Sequence, residues 1–186
     1  MGMTAWRKEV DLLVVGLFAP EDEPFAEEAL MSWIPYADHV WLVPTEGRMA
    51  WLEELRARVW QPDLWFGLTR TSPESCFGSV YELENMPKTK NPLWVLFVHG
   101  HEKLYGQPMI LIREMETLMG QGMKEPDQAV IGMLGYKGEA EGGLHARLYP
   151  MTREWQSNDD GQHLIPNGEL RVQAAVITGT QMERMR

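Results

Sequence analysis

Leu93-Trp94-Val95-Leu96-Phe97-Val98 runs directly into His99-Gly100-His101-Glu102, and this join of an apolar run to a polar turn decides how the chain is read. The run has no polar side chain and is too short for a typical globular helix. It leaves neither of its alternating faces for water, the pattern of a strand covered on both sides in a parallel sheet. Val10 to Phe18 (VDLLVVGLF) is a second run of this kind, closed by Ala19-Pro20. Asp22-Glu23-Pro24 then reads as a helix start, with acids at the positive end of the helix dipole and Pro in the first turn. Phe25, Ala26, Ala29, Leu30, Trp33 and Ile34 recur at helical spacing, and Pro35 stops the helix. His39 to Val43 is a further strand, ended by Pro44 and Gly47, and Arg48 to Val59 a second amphipathic helix with Met49, Leu52, Leu55 and Val59 inward.

Strand, helix, strand, helix is the opening of a doubly wound α/β fold, because parallel neighbours need a right-handed crossover. Downstream, residues 60–76 read as irregular, Phe77 to Met86 as a helix and Met109 to Met119 as another. Strands are expected at Ala129 to Leu134, Leu144 to Tyr149 and Leu170 to Ile177. Gly138 to Gly143 reads as a loop and Gln156 to Gly161 as a polar turn.

The 186 residues suit one domain with a sizeable core. Net charge is −10. Such a surface repels phosphate backbones, which argues against general nucleic-acid binding. The single cysteine, Cys76, excludes an internal disulfide and fits a reducing compartment. The opening Met1 to Lys8 lacks the apolar core of a secretory signal. The longest apolar run, Leu12 to Phe18, is far short of the roughly 20 residues that span a bilayer. The expectation is a soluble cytoplasmic protein.

Ligands of open α/β sheets bind beyond the carboxyl ends of the strands. Three such ends are readable: Ala19-Pro20-Glu21-Asp22-Glu23, Pro44-Thr45-Glu46-Gly47 and His99-Gly100-His101-Glu102. They carry carboxylates and imidazoles, and neither the Walker nor the dinucleotide-binding glycine pattern. In extended backbone His99 and His101 point to the same side, where two imidazoles can share a divalent metal with Glu102 or water. The alternative is a polar loop in which two histidines cap a strand. Trp65, Trp94 and Trp155 could stack on a sugar or base, although buried tryptophans more often anchor a core.

The order of these parts resembles the family-2 glycosyltransferases of the GT-A fold. The likeness rests on Tyr36-Ala37-Asp38-His39-Val40-Trp41-Leu42-Val43-Pro44-Thr45-Glu46-Gly47 and on Pro92 to Glu102, with an echo in Arg147-Leu148-Tyr149-Pro150, Trp155 and His163. It covers roughly residues 9 to 165. It implies a GT-A-like (Rossmann-like) α/β fold: a mixed, mostly parallel sheet flanked by helices, with a short β-rich C-terminal part. One domain over 1–186 is expected, with a nucleotide-binding half at 9–105 and an acceptor-side half at 106–186.

The resemblance also implies a nucleotide-diphosphate sugar as donor, an unspecified acceptor, and Mn²⁺ or Mg²⁺ at an Asp-x-Asp motif. Those two aspartates fall on His99 and His101, which become the implied metal and nucleotide contacts. Glu21, Thr45 and Glu46 stand in the loops that hold the nucleotide. Glu102 is the foremost candidate general base, ahead of Glu139 and Glu141, and His163 a second acid, base or phosphate contact. The family's base-binding aspartate has become Pro44, and its Phe-Ser helix falls on Phe77 to Glu82.

Three readings of the substituted motif stay open. The site could use an altered metal, since imidazole suits Mn²⁺ or Zn²⁺ better than Mg²⁺. It could work without metal, with His99 and His101 contacting phosphate. Or the chain could be a non-catalytic binding or assembly module. A metal hydrolase built on His99, His101 and His163 is a further alternative.

Overall fold

The computed structural model describes residues 8–69, 88–122, 124–125, 127–139, 143–151, 155–157, 164–166, 168–169 and 171–186. The first half alternates: β1 (Asp11–Phe18), α1 (Glu23–Trp33), β2 (His39–Pro44), α2 (Ala50–Val59), β3 (Trp65–Leu68), β4 (Leu93–His99) and β5 (Glu102–Gly106). After α3 (Pro108–Gly122) come β6 (Gln128–Gly135), β7 (Leu144–Pro150), β8 (Trp155–Ser157), β9 (Leu164–Pro166), β10 (Arg171–Val176) and β11 (Thr180–Arg184). The expected β-rich C-terminal part is therefore present.

Seven strands form one sheet in the order β10-β6-β7-β4-β1-β2-β3. β4 is its middle strand, parallel to β1 on one side and antiparallel to β7 on the other. Only β7 runs against its neighbours, so the other six strands end on one rim. This is the mixed, mostly parallel, helix-flanked sheet expected of a GT-A-like fold. The order explains the apolar runs: β1 and β4 have neighbours on both edges and side chains buried on both faces.

Successive residues of β1 feed two cores. Leu12, Val14 and Phe18 join α1, α2 and α3 on one face, through Leu30, Trp33, Leu52, Leu55, Leu111 and Met115. Leu13, Val15 and Leu17 join Trp41, Val95, Phe97, Tyr149 and Trp155 on the other. Gly16 lets α1 approach, because a Cβ there would stand 2.5 Å from the Trp33 ring. Of the tryptophans considered as stacking surfaces, Trp94 and Trp155 are core residues. Trp65 packs edge-on against Trp41, with ring centroids 5.6 Å apart.

Some local expectations need correcting. Residues 65–68, read as irregular, pair in parallel with β2. Glu102 opens a strand rather than a loop, because β5 pairs antiparallel with β11. Trp155–Ser157, at the start of the expected polar turn, pairs with β9. All of these strands are short, so no periodicity develops along them, and pairing supplies what the local pattern lacks. The expected helix at 77–86 lies outside the described residues, as do Cys76, 140–142 and 158–161. No helix among the described residues is long and apolar enough to cross a membrane.

Leu96 is fully buried in the middle strand. Leu96→Ala is expected to cost about 2–5 kcal/mol, from lost burial plus a residual cavity, read as a lowered urea midpoint with unchanged slope.

Candidate functional site

Strand order reverses beside β1: β2 and β3 follow outward on one side, and β4 lies on the other. A crevice opens where neighbouring crossovers diverge, at the carboxyl ends of such strands. Three expected segments meet there. Thr45 donates its N–H (2.8 Å) and its hydroxyl (3.0 Å) to the Phe18 carbonyl, joining the ends of β2 and β1. The Gly100 N–H donates to the Leu17 carbonyl at 2.8 Å, joining β4 to β1. This approach requires glycine, since a Cβ on Gly100 would meet Phe18 at 2.4 Å and Asp22 at 2.9 Å.

Asp22, which sequence reading placed among the carboxylates of the strand-end segment after β1 and used as a helix-start acid, lies at this join. Its buried carboxylate accepts the Ala19 N–H on Oδ2 and holds His101 Nδ1 on Oδ1, each at 2.8 Å. The His101 side chain is 35% exposed. The His99 and His101 rings lie nearly parallel, inclined by 19° with centroids 5.8 Å apart. The two histidines thus meet, as the His-x-His spacing suggested, but in different environments. The hydrogen bond to Asp22 raises the His101 pKa against the opposing effect of burial, and the charges of Asp22 and Glu102 add to it. Burial lowers that of His99, with Glu102 opposing and Arg147 reinforcing the change.

Glu102 points into the protein. Only 1% of its side chain is exposed. One oxygen accepts the His99 N–H at 2.8 Å. The other accepts Arg147 at 3.0 Å and the Tyr136 hydroxyl in a short hydrogen bond. Its backbone carbonyl accepts the Trp33 indole N–H at 2.8 Å. Burial opposes the charge, but Arg147, His99, Tyr136 and the His99 N–H together hold the carboxyl below its ordinary range. Burial, with the Glu102 charge beside it, raises the Tyr136 pKa, so its phenol stays a donor. In this geometry Glu102 fixes the turn that presents the histidines.

Glu21 and Glu46 are exposed in the loops after β1 and β2. Glu139 is half-exposed and pairs with Arg184 at 3.5 Å. His163 and Glu141 lie outside the described residues. Tyr136 and Arg184 were not named from sequence, and Asp22 and Arg147 were named only within the segment after β1 and the Arg147-Leu148-Tyr149-Pro150 echo, with no role of their own. The one available signal was Arg147, a charged residue beside the apolar Leu148 and Tyr149 in an expected strand.

The implied Mn²⁺ or Mg²⁺ can be tested against these donors. One ring nitrogen of His101 is occupied by Asp22, and both Glu102 oxygens are spent on internal partners. Among the described residues no three His, Cys, Asp or Glu side chains converge as a metal centre requires. Among the described residues the donors left are His99 and the outer nitrogen of His101, fewer than such a centre needs.

No family model matches the sequence, and no curated protein matches it. Among solved structures the chain is similar to a 4-diphosphocytidyl-2C-methyl-D-erythritol synthase, at 9% identity and a TM-score of 0.43 over 78% of this chain and 76% of that one. It is also similar to S. aureus TarS 1-349 in complex with UDP, at 14% identity and a TM-score of 0.44 over 70% of this chain and 37% of that one. At these scores neither likeness says what this chain binds.

Two measurements check the site. In an NMR histidine titration, His101 is expected to titrate above the usual value of about 6.5 and His99 below it, with Asp22→Asn bringing His101 down. Because the folded pKa of His101 is raised, its contribution to stability is full below the unfolded value and is lost as pH rises through the folded one. Removing one partner of the buried pair by Arg147→Ala is expected to cost about 3–5 kcal/mol, and an Arg147→Met, Glu102→Gln double variant to recover much of it. Urea unfolding reads both.

Proposed function

We propose that the crevice binds a nucleotide-diphosphate sugar and that the chain is a glycosyltransferase-like protein acting on an acceptor of unknown identity. The reading is carried by one observation: Asp22 and His101 are joined across the β1–β4 reversal, where an open α/β sheet takes its ligand. The resemblance of the Pro92 to Glu102 segment to family-2 glycosyltransferases adds the ligand class.

In this reading the exposed edge of His101 meets the donor's phosphates. Thr45 and Glu46 border the nucleotide on the β2 side, and Glu21 flanks it after β1. The 106–186 half borders the acceptor. Glu102 serves by holding the His99–His101 turn through Arg147 and Tyr136. Proton removal from the acceptor then falls to another group, and Glu139, Glu141 and His163 are the remaining candidates from the sequence.

The test is a thermal-shift titration with UDP- and GDP-sugars, with and without Mn²⁺. Binding to the folded state alone gives a melting temperature that keeps rising with ligand, by about 2.7 kcal/mol of stabilisation at a hundredfold excess over Kd. His101→Ala is expected to remove that shift and also to lower the ligand-free melt, because it leaves the buried Asp22 carboxylate short of a donor, so each shift is read against the variant's own ligand-free melt. No shift with any nucleotide sugar would turn the reading toward the non-catalytic binding or assembly module.

A further inference from the structure

We propose that β10 is a dimerisation edge, pairing antiparallel with β10 of a second copy of this chain about a two-fold axis at Ala174 and joining the two sheets into one. The inference concerns the end of the sheet away from the crevice, since β6 and β7 stand between β10 and β4. It holds or fails independently of the nucleotide-sugar reading.

The backbone sets the first requirement. Among the described residues β10 is an outermost strand, bonded to β6 on one side. Arg171 and Ile177 donate their N–H groups to the Asp127 and Met133 carbonyls on that side, at 2.6 and 2.9 Å. Backbone groups alternate in direction along a strand, so the N–H and C=O groups of Val172, Ala174 and Val176 point away from β6. Val172 and Val176 are 39% and 56% exposed, and Ala174 is exposed between them. An open row of this kind is a template for another strand, which proteins usually blunt with Lys, Pro, a bulge or brevity. β10 has no Lys, no Pro and an unbroken register over six residues, whereas β3 at the opposite edge has four residues.

The side chains then select the partner. The outward-pointing residues read Val172, Ala174, Val176, the same in both directions. Antiparallel pairing of the strand with itself sets Ala174 against Ala174 and Val172 against Val176 of the second copy, and each such pair exchanges both of its N–H···O bonds. These residues share one face of the strand. Valine therefore meets valine at both ends, and small side chains meet at the axis. On the other face Gln173 falls opposite Ala175. A two-fold interface needs a patch complementary to itself, and this strand supplies one.

Charge agrees with a second copy. The chain carries −10 overall, yet β10 has no carboxylate and its one charge is Arg171. The Arg171 side chain is 66% exposed, in a solvent-facing pair with Asp127. The two-fold register sets it opposite Ile177 of the second copy. The residues after Ile177, Thr178 and Gly179, donate their N–H groups to Glu114 at 2.9 and 3.1 Å. A carboxylate thus stands near each point where Arg171 arrives, while Glu169 lies before the paired stretch begins. Exposed apolar surface continues from the edge, because Ile110 of α3 and Leu144 of β7 each line a groove with Val176. Covering it adds apolar burial to the strand pairing.

The experiment is sedimentation velocity on the full chain across a concentration series. The wild type is expected to pass from 21.4 kDa to twice that mass as concentration rises. Ala174→Lys sets two ammonium groups against each other at the axis and is expected to weaken dimerisation at least about tenfold. Because residue 174 is exposed, its melt in dilute solution is expected to match wild type, which separates a lost interface from a folding defect. Cross-linking tests the register. In a Cys76→Ser background with diamide as oxidant, Ala174→Cys places the two thiols on opposed residues about 5.5 Å apart at Cα, within disulfide reach. Val172→Cys leaves its two copies four positions out of register, about 14 Å apart. A covalent dimer is expected from the first variant and little from the second. A chain that stays monomeric throughout the series overturns the proposal and leaves the edge to an extended segment of another protein. A dimer indifferent to Ala174→Lys, or cross-linked as readily through residue 172, lies on another surface or register and overturns it too.

Discussion

Asp22 joins two parts of the chain 79 residues apart, and the candidate site depends on that contact. A carboxylate buried at the end of a strand is costly unless its oxygens find donors. Here one oxygen is satisfied locally by Ala19 and the other by His101. The same contact locks the turn after β1 to the turn after β4 and orients an imidazole at the crevice mouth. It is possible only because residue 100 has no side chain, which lets the two turns come within hydrogen-bonding distance.

Behind this surface contact lies a second, deeper one. Glu102, Arg147 and Tyr136 form a buried network that links β5, β7 and the residue that follows β6. Low local dielectric makes such a network strong when satisfied and costly when broken. It ties the C-terminal strands to the histidine turn, while Trp33 of α1 anchors the same turn from the other side through the Glu102 carbonyl. The turn is thus held by residues from both halves of the chain, a rigid support of the kind a binding site needs.

Much of the first half was legible because its patterns are local. β1, β2 and β4 are apolar on both alternating faces, and α1 and α2 carry apolar stripes at helical spacing. Burial follows these patterns directly. β5 and β11 were not legible. They are short and partly polar, and each is a strand only because the other pairs with it. β3 was missed for a related reason: its glycine and short length hide it until β2 offers an edge.

The site divides in the same way. Sequence alone determined that a buried middle strand ends in His99-Gly100-His101, because a run of apolar side chains has few other stable places to go. It also determined that the loops after β1 and β2 could share that rim. Only the tertiary structure decided the partners: His101 to Asp22, and Glu102 away from the crevice to Arg147. Hydrophobic burial is a property of each stretch and is written in its own composition. The partner of a polar group depends on which distant backbone is packed beside it, and that is settled when the sheet closes.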